Sequence, residues 1–240
     1  MVQTIGLGAV ILVGAGAQRV TGLGFSLVAS PFMVLLLGPF NGVLVVNACG
    51  AVTAFVVLTQ VWRDVDVRRA VLLIVSALPA VAAGAWMARS LPAAPLAVVV
   101  GVLILVALVA VVASERARVL RGTPGAVIAG LGSGFLNVTV GAGGPAVAVY
   151  AVSIGWAQRR FAATAQLIFG ALGIASLVAK GGRPSMTAAG WLTVAGGLLV
   201  GILVGNGVAA RVSPERAQTA VIILAMAGAI LTVVKGLVAL

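Results

Sequence analysis

The sequence predicts an all-α polytopic membrane protein of two inverted repeats, each a broken or re-entrant helical segment plus three transmembrane helices. Three observations predict it. Of 240 residues, 62% are hydrophobic and only 8% charged, whereas a soluble domain carries roughly a quarter charged residues. The charges fall in short clusters between apolar runs about one span long, and residues 20–62 hold none over 43 positions. Finally, two stretches are too long for a single crossing, and a shift of 119 residues lays one over the other.

The first half, 1–121, opens with a 37-residue stretch (1–37) whose one charge is Arg19. As a straight helix it would measure roughly 55 Å, against roughly 30 Å of hydrocarbon. It must therefore break, and Gly14, Gly16, Gly22 and Gly24 are where a membrane helix can unwind. Two half-helices are expected, as a re-entrant hairpin or two short crossings; both return the chain to its starting side. Met1-Val2-Gln3 lacks the basic start of a signal peptide, so this run is expected to belong to the mature fold. Spans follow at 41–61, 70–88 and 95–113.

The second half, 122–240, repeats the plan. Residues 122–158 are again 37 long and uncharged, with Gly130, Gly132, Gly134, Gly141, Gly143 and Gly144. After this second broken segment, spans are expected at 161–179, 186–208 and 217–238. The shift lays Thr21-Gly22-Leu23-Gly24-Phe25 over Val140-Gly141-Ala142-Gly143-Gly144 and Asn47 over Gln166. An odd number of crossings per half turns the second upside down. Gly197, Gly201 and Gly205, four residues apart, predict a close helix contact.

With that folding, the connections at 62–69, 114–121, 158–160 and 209–216 share one side and carry ten Lys/Arg, against four opposite. The ten-cation side is expected to be cytoplasmic. Single crossings would give nine against five, so segment length, not charge, decides the folding.

Composition also removes chemistry. The +11 net charge is scattered between apolar runs, which reads as topology signals and not as a nucleic-acid face. No His and a single Cys, Cys49, leave no Ser-His or Cys-His pair, zinc site or CxxC relay. No enzyme activity, cofactor or metal is expected. Gly132-Ser133-Gly134 looks like the serine motif of intramembrane rhomboid proteases but has no His partner. Gly141–Gly144 could imitate a nucleotide loop, yet no strand precedes it and no GK[ST] follows.

Two interrupted segments at corresponding positions of inverted halves point to a transporter site at mid-membrane. A broken helix exposes N–H groups and the positive end of its dipole, which favours an anion. The candidates are Gln18, Arg19, Thr21, Gly22 and Gly24 in the first break and Asn137, Thr139, Gly141, Gly143 and Gly144 in the second. Asn47 and Gln166, in the spans that follow, could complete the hydrogen bonds. Arg19 could instead snorkel to an interface, and Asn137 and Thr139 could simply glue helices together. Asp64, Asp66, Glu115 and Glu215 all lie in Arg-rich connections, so no carboxylate or His is available mid-membrane to carry a coupling proton or bind Na⁺.

At these residues the sequence resembles the sulfite exporter TauE/SafE family of bacterial membrane permeases, over nearly the whole chain. The resemblance rests on Gln18-Arg19-Val20-Thr21-Gly22-Leu23-Gly24-Phe25 with Pro31, and on Gly134 through Gly141-Ala142-Gly143-Gly144-Pro145 to Tyr150. Trp156 to Phe161 with Ala163-Thr164 is similar to the family's continuation of the second half. It implies a multi-pass carrier of the bacterial inner membrane for small anions, sulfite and organosulfonates being the associated class. The expected function is a permease with alternating access around a mid-membrane site between the two breaks. The alternatives are an anion channel of the same architecture and a non-transporting scaffold subunit. The expected partners are a small anionic substrate and the lipid bilayer, with no nucleic acid; homo-oligomerisation is left open.

Overall fold

The computed structural model describes residues 2–21, 24–114, 120–182, 184–209 and 214–240, and among these the regular structure is entirely helical. In chain order the helices are α1 (Val2–Thr21), α2 (Gly24–Leu37), α3 (Pro39–Val61), α4 (Val67–Ser90), α5 (Ala93–Ser114), α6 (Gly122–Val140), α7 (Gly144–Ser153), α8 (Gln158–Lys180), α9 (Ala188–Ala209) and α10 (Pro214–Val238). Seven described helices, α3 to α6 and α8 to α10, are long and apolar enough to cross a membrane. Large apolar side chains such as Trp86, Val178, Leu192 and Leu203 stay exposed; in a bilayer, lipid tails cover them. The chain is a polytopic all-α membrane protein.

Local chemistry sets the boundaries. Gly38 adopts a left-handed conformation (φ 80°) and Pro39 opens α3 with its fixed φ, so the chain turns between α2 and α3. The Asp66 side chain caps α4 by accepting from the Arg69 N–H at 3.1 Å. Gly181 (φ 61°) terminates α8.

Both 37-residue stretches break, but not into halves. α1 has 20 residues and α6 has 19, roughly 30 Å each; the returning helices α2 and α7 have 14 and 10. The break sits at the end of the first helix because Gly14, Gly16, Gly130, Gly132 and Gly134 remain helical and serve close packing. Only Gly141–Gly143 act as the breaking element of the second stretch. Gly22 and Leu23, between α1 and α2, lie outside the described residues.

Equivalent helices start close to the predicted offset, α3 and α8 119 residues apart and α1 and α6 120. α3 and α8 have 23 residues each and begin at Pro39 and Gln158; α1 and α6 begin at Val2 and Gly122. Compact packing does not follow the boundary between the halves. The chain forms two units, Met1–Val46 with Pro92–Ile104 and Arg183–Leu240, and Asn47–Leu91 with Leu105–Gly182, each drawing helices from both halves.

In the first unit, α1 runs parallel to α9. A Cβ at Gly197 would fall 2.8 Å from the Gly8 carbonyl oxygen, and one at Gly201 2.5 Å from that of Leu12. The predicted glycine ladder is therefore a backbone-to-backbone contact. α2 folds back along α1, with Gly14 against Phe25 and Ala29 and Gly6 near Leu36. The Thr232 hydroxyl donates to the Gly228 and Pro31 carbonyls at 2.8 and 3.3 Å, and Lys235 Nζ donates to that of Leu35 at 3.0 Å.

The second unit repeats this arrangement with α4 and α6, also parallel. Gly130 meets Leu73 and Ser76, Gly134 meets Ala77, and Gly84 meets Val138 and Thr139. α7 returns along α6, with Gly132 against Ala146 and the Leu120 N–H donating to Ser153 Oγ at 3.4 Å. One end of the unit gathers Asp64 with Arg159 (2.8 Å), the Asp66 N–H with Thr164 Oγ1 (2.9 Å), and Arg69 stacked 4.8 Å from the Trp156 ring. At the other end Arg89 donates to the Ala179 carbonyl. The α6–α7 segment thus starts and finishes at one end.

Candidate functional site

The second break is built by a helix stop and an immediate restart. Gly141 is left-handed (φ 73°), and its N–H donates to the Asn137 carbonyl at 2.9 Å while that of Ala142 donates to Leu136 at 3.4 Å. This is the double-bonded helix end that glycine permits and a β-carbon opposes. Two residues on, α7 begins with Gly143 as its N-cap, no side-chain cap and Pro145 in the first turn. The turn is largely buried: Gly141, Ala142, Gly143 and Pro145 are buried and Gly144 is half-buried.

Asn137, 4% exposed, sits one turn before this stop. Its Nδ2 donates to Asn47 Oδ1 at 3.1 Å and to Ser176 Oγ at 3.0 Å, while Asn47 Nδ2 donates to the Asn137 carbonyl at 3.1 Å. α3, α6 and α8 each contribute one member of this network. The approach of α8 requires Gly173, where a Cβ would lie 3.1 Å from the Asn47 carbonyl oxygen. Two of the sequence candidates, 90 residues apart, are therefore directly bonded. Ser176 was missed; a lone serine in an apolar span carries no signal that separates it from packing.

The other candidates are distributed. Thr139 donates to the Phe135 carbonyl and turns its methyl onto Gly84. Gln166 stands ten residues before Ser176 on α8, roughly 15 Å along the axis. Its Nε2 reaches the Ala162 carbonyl at 3.4 Å, and its buried Oε1 has no partner among the described residues. In the first break, Gln18 Oε1 accepts from the Phe25 N–H at 3.1 Å and so caps α2. Arg19 and Thr21 end α1 and Gly24 opens α2, but the side chains of Arg19 and Thr21 and the surroundings of Gly24, like Gly22 altogether, lie outside the described residues.

Beside the first break a cavity of about 340 Å³ is lined by Leu12, Gly16, Ala17, Val28, Val221 and other apolar groups, with Arg216 as its charged member. Sequence reasoning counted Arg216 only as a topology signal. Among the described residues no cluster of His, Cys, Asp or Glu could hold a metal ion.

Seven span-length apolar helices and two helical segments that fold back on themselves define a class, the multi-pass helical membrane protein. The chain belongs to the sulfite exporter TauE/SafE family, whose sequence profile matches residues 7–232. No curated protein and no solved structure matches it.

Proposed function

We propose that this permease carries small oxyanions of the sulfite and organosulfonate type across the bacterial inner membrane, exposing the break at Asn137–Gly144 to one side and then the other. The observation that carries the reading is the buried restart at Gly143, where a helix N-terminus has no side-chain cap. Its first N–H groups and dipole form a fixed positive end in a low-dielectric setting, which replaces part of an anion's hydration without reorganisation. The Asn47–Asn137–Ser176 network holds the turn in place by bonding the residue just before the stop.

The matching lengths of α3 and α8, and the near-equal lengths of α1 and α6, at offsets of 119 and 120 residues support two halves of common plan, and the odd number of crossings in each supports their inversion. Asp64 is paired with Arg159 and Asp66 with Arg69 at a loop end, Glu215 is the second residue of α10, and Glu115 lies outside the described residues. An exchange or passive mode suits this residue set better than proton coupling. Arg19 is the one cation within the first long apolar stretch and supplies attraction for the anion there.

The test is counterflow of labelled oxyanion in proteoliposomes. Arg19→Ala is expected to abolish flux while the purified protein keeps its helical content and monodisperse elution. Undiminished flux removes Arg19 from the mechanism.

A further inference from the structure

The two breaks differ in a way that the permease reading does not by itself require. In the first, Gln18 Oε1 occupies the start of α2 by accepting from the Phe25 N–H. Its counterpart 119 residues on is Asn137, whose amide is instead spent on Asn47 and Ser176. The start of α7 is therefore uncapped, and the N–H groups of Gly144 and Ala146 have no intrahelical acceptor.

A second, independent feature lies against the same turn. Ser133 is 0% exposed, and its Oγ has no hydrogen-bond partner among the described residues. Helical hydroxyls ordinarily return their proton to the carbonyl one turn back, as Thr139, Ser153 and Thr164 do here. Ser133 Oγ instead faces Gly143: a Cβ built there would lie 2.7 Å from Ser133 Oγ and 2.8 Å from the Ser133 carbonyl oxygen. The serine is eleven residues into α6, roughly 17 Å from its start and so near the middle of a roughly 30 Å hydrocarbon layer. Buried donors left without an acceptor at that depth are costly.

We infer that Ser133 is a substrate-binding residue: its hydroxyl and the first N–H groups of α7 donate to one oxygen of the transported oxyanion. This rests on the permease reading and assigns the oxygen's seat to the second break. It also gives a role to a serine whose protease-like surroundings otherwise lead nowhere. Gly143 is then required to be glycine, because a side chain there would displace the hydroxyl from the seat.

The test uses full-length protein, with Ser133→Ala, Gly143→Ala and, as a matched hydroxyl deletion at an exposed helix end, Ser90→Ala. Counterflow of sulfite and sulfoacetate is measured in proteoliposomes, and melting temperature in detergent is measured with and without each anion. Ser133→Ala is expected to melt at or above the wild-type temperature without anion, since it removes an unsatisfied buried group. Its half-saturation constant is expected to rise about tenfold or more, the loss of one hydrogen bond to a charged ligand. Gly143→Ala is expected to lose anion-induced stabilisation, and Ser90→Ala to match wild type. A Ser133→Ala half-saturation within twofold of wild type overturns the inference and leaves the permease reading intact. A fall of several degrees in its anion-free melting temperature makes the hydroxyl structural and also overturns it. If the wild-type protein neither exchanges these anions nor is stabilised by them, the functional reading fails and the inference falls with it.

Discussion

Asn137 joins three helices of the second unit, through one carbonyl with two donors and one amide with two acceptors. Removing its side chain leaves Asn47 Oδ1 and Ser176 Oγ without this partner in a dry setting. Asn137→Ala is accordingly expected to cost about 1–3 kcal/mol, read as a lower melting temperature in detergent; an unchanged value would mean that water or another group satisfies these atoms. At this scale the sequence is informative about type and silent about partner. Asn47 and Asn137 stand out as amides in apolar runs, but their pairing depends on α3, α6 and α8 converging at Gly173. Ser176 and the role of Ser133 are hidden for the same reason, since what distinguishes these serines is the presence or absence of a neighbour from elsewhere in the chain. Gln166, aligned with Asn47 by the repeat, lies far from the network because equal positions in corresponding helices need not meet.

At the scale of the element, glycine has two uses, and composition does not separate them. Gly197 and Gly201 admit the α1 backbone, whereas Gly196, their neighbour on α9, has nothing within 4 Å of a built Cβ. Gly201→Ala is expected to lose roughly 1–3 kcal/mol through overpacking, while Gly196→Ala is expected to stay within about 1 kcal/mol of wild type. Equal melting temperatures for the two variants would contradict the α1–α9 contact. The spans themselves were legible because charges bracket them: 41–61 became Pro39–Val61, 70–88 became Val67–Ser90 and 161–179 became Gln158–Lys180. Length arithmetic likewise required the two long stretches to break. It did not place the break at the end of α6, because Gly130, Gly132 and Gly134 look the same in sequence as Gly141 and Gly143 while packing as ordinary helical residues.

For the whole molecule, the segment α6–α7 starts and ends at the same end of its unit, which fixes the parity of the crossings that follow it. Arg63 and Arg159 belong to that end and Arg89 to the other. Cysteines placed at these three positions in a Cys49→Ala background are expected to react with a membrane-impermeant thiol reagent from the cytoplasmic face at 63 and 159 and from the opposite face at 89. Labelling of 63 and 89 from one face would break the crossing count and the inverted plan with it. Net charge contributes little to this conclusion, since ten cations against four and nine against five favour the same face under different foldings.

The central claim is that a member of the TauE/SafE family with no carboxylate or histidine inside its predicted spans moves oxyanions by presenting a buried, uncapped helix start to each side in turn. The most direct test is saturable counterflow in proteoliposomes across sulfite, sulfate, sulfoacetate, taurine, thiosulfate and small carboxylates, with and without imposed pH and voltage gradients. The account predicts saturable exchange of one oxyanion class, trans-stimulated by the same anion and not driven by a pH gradient. Non-saturating conductance, or no movement of any of these anions by folded protein, would contradict it.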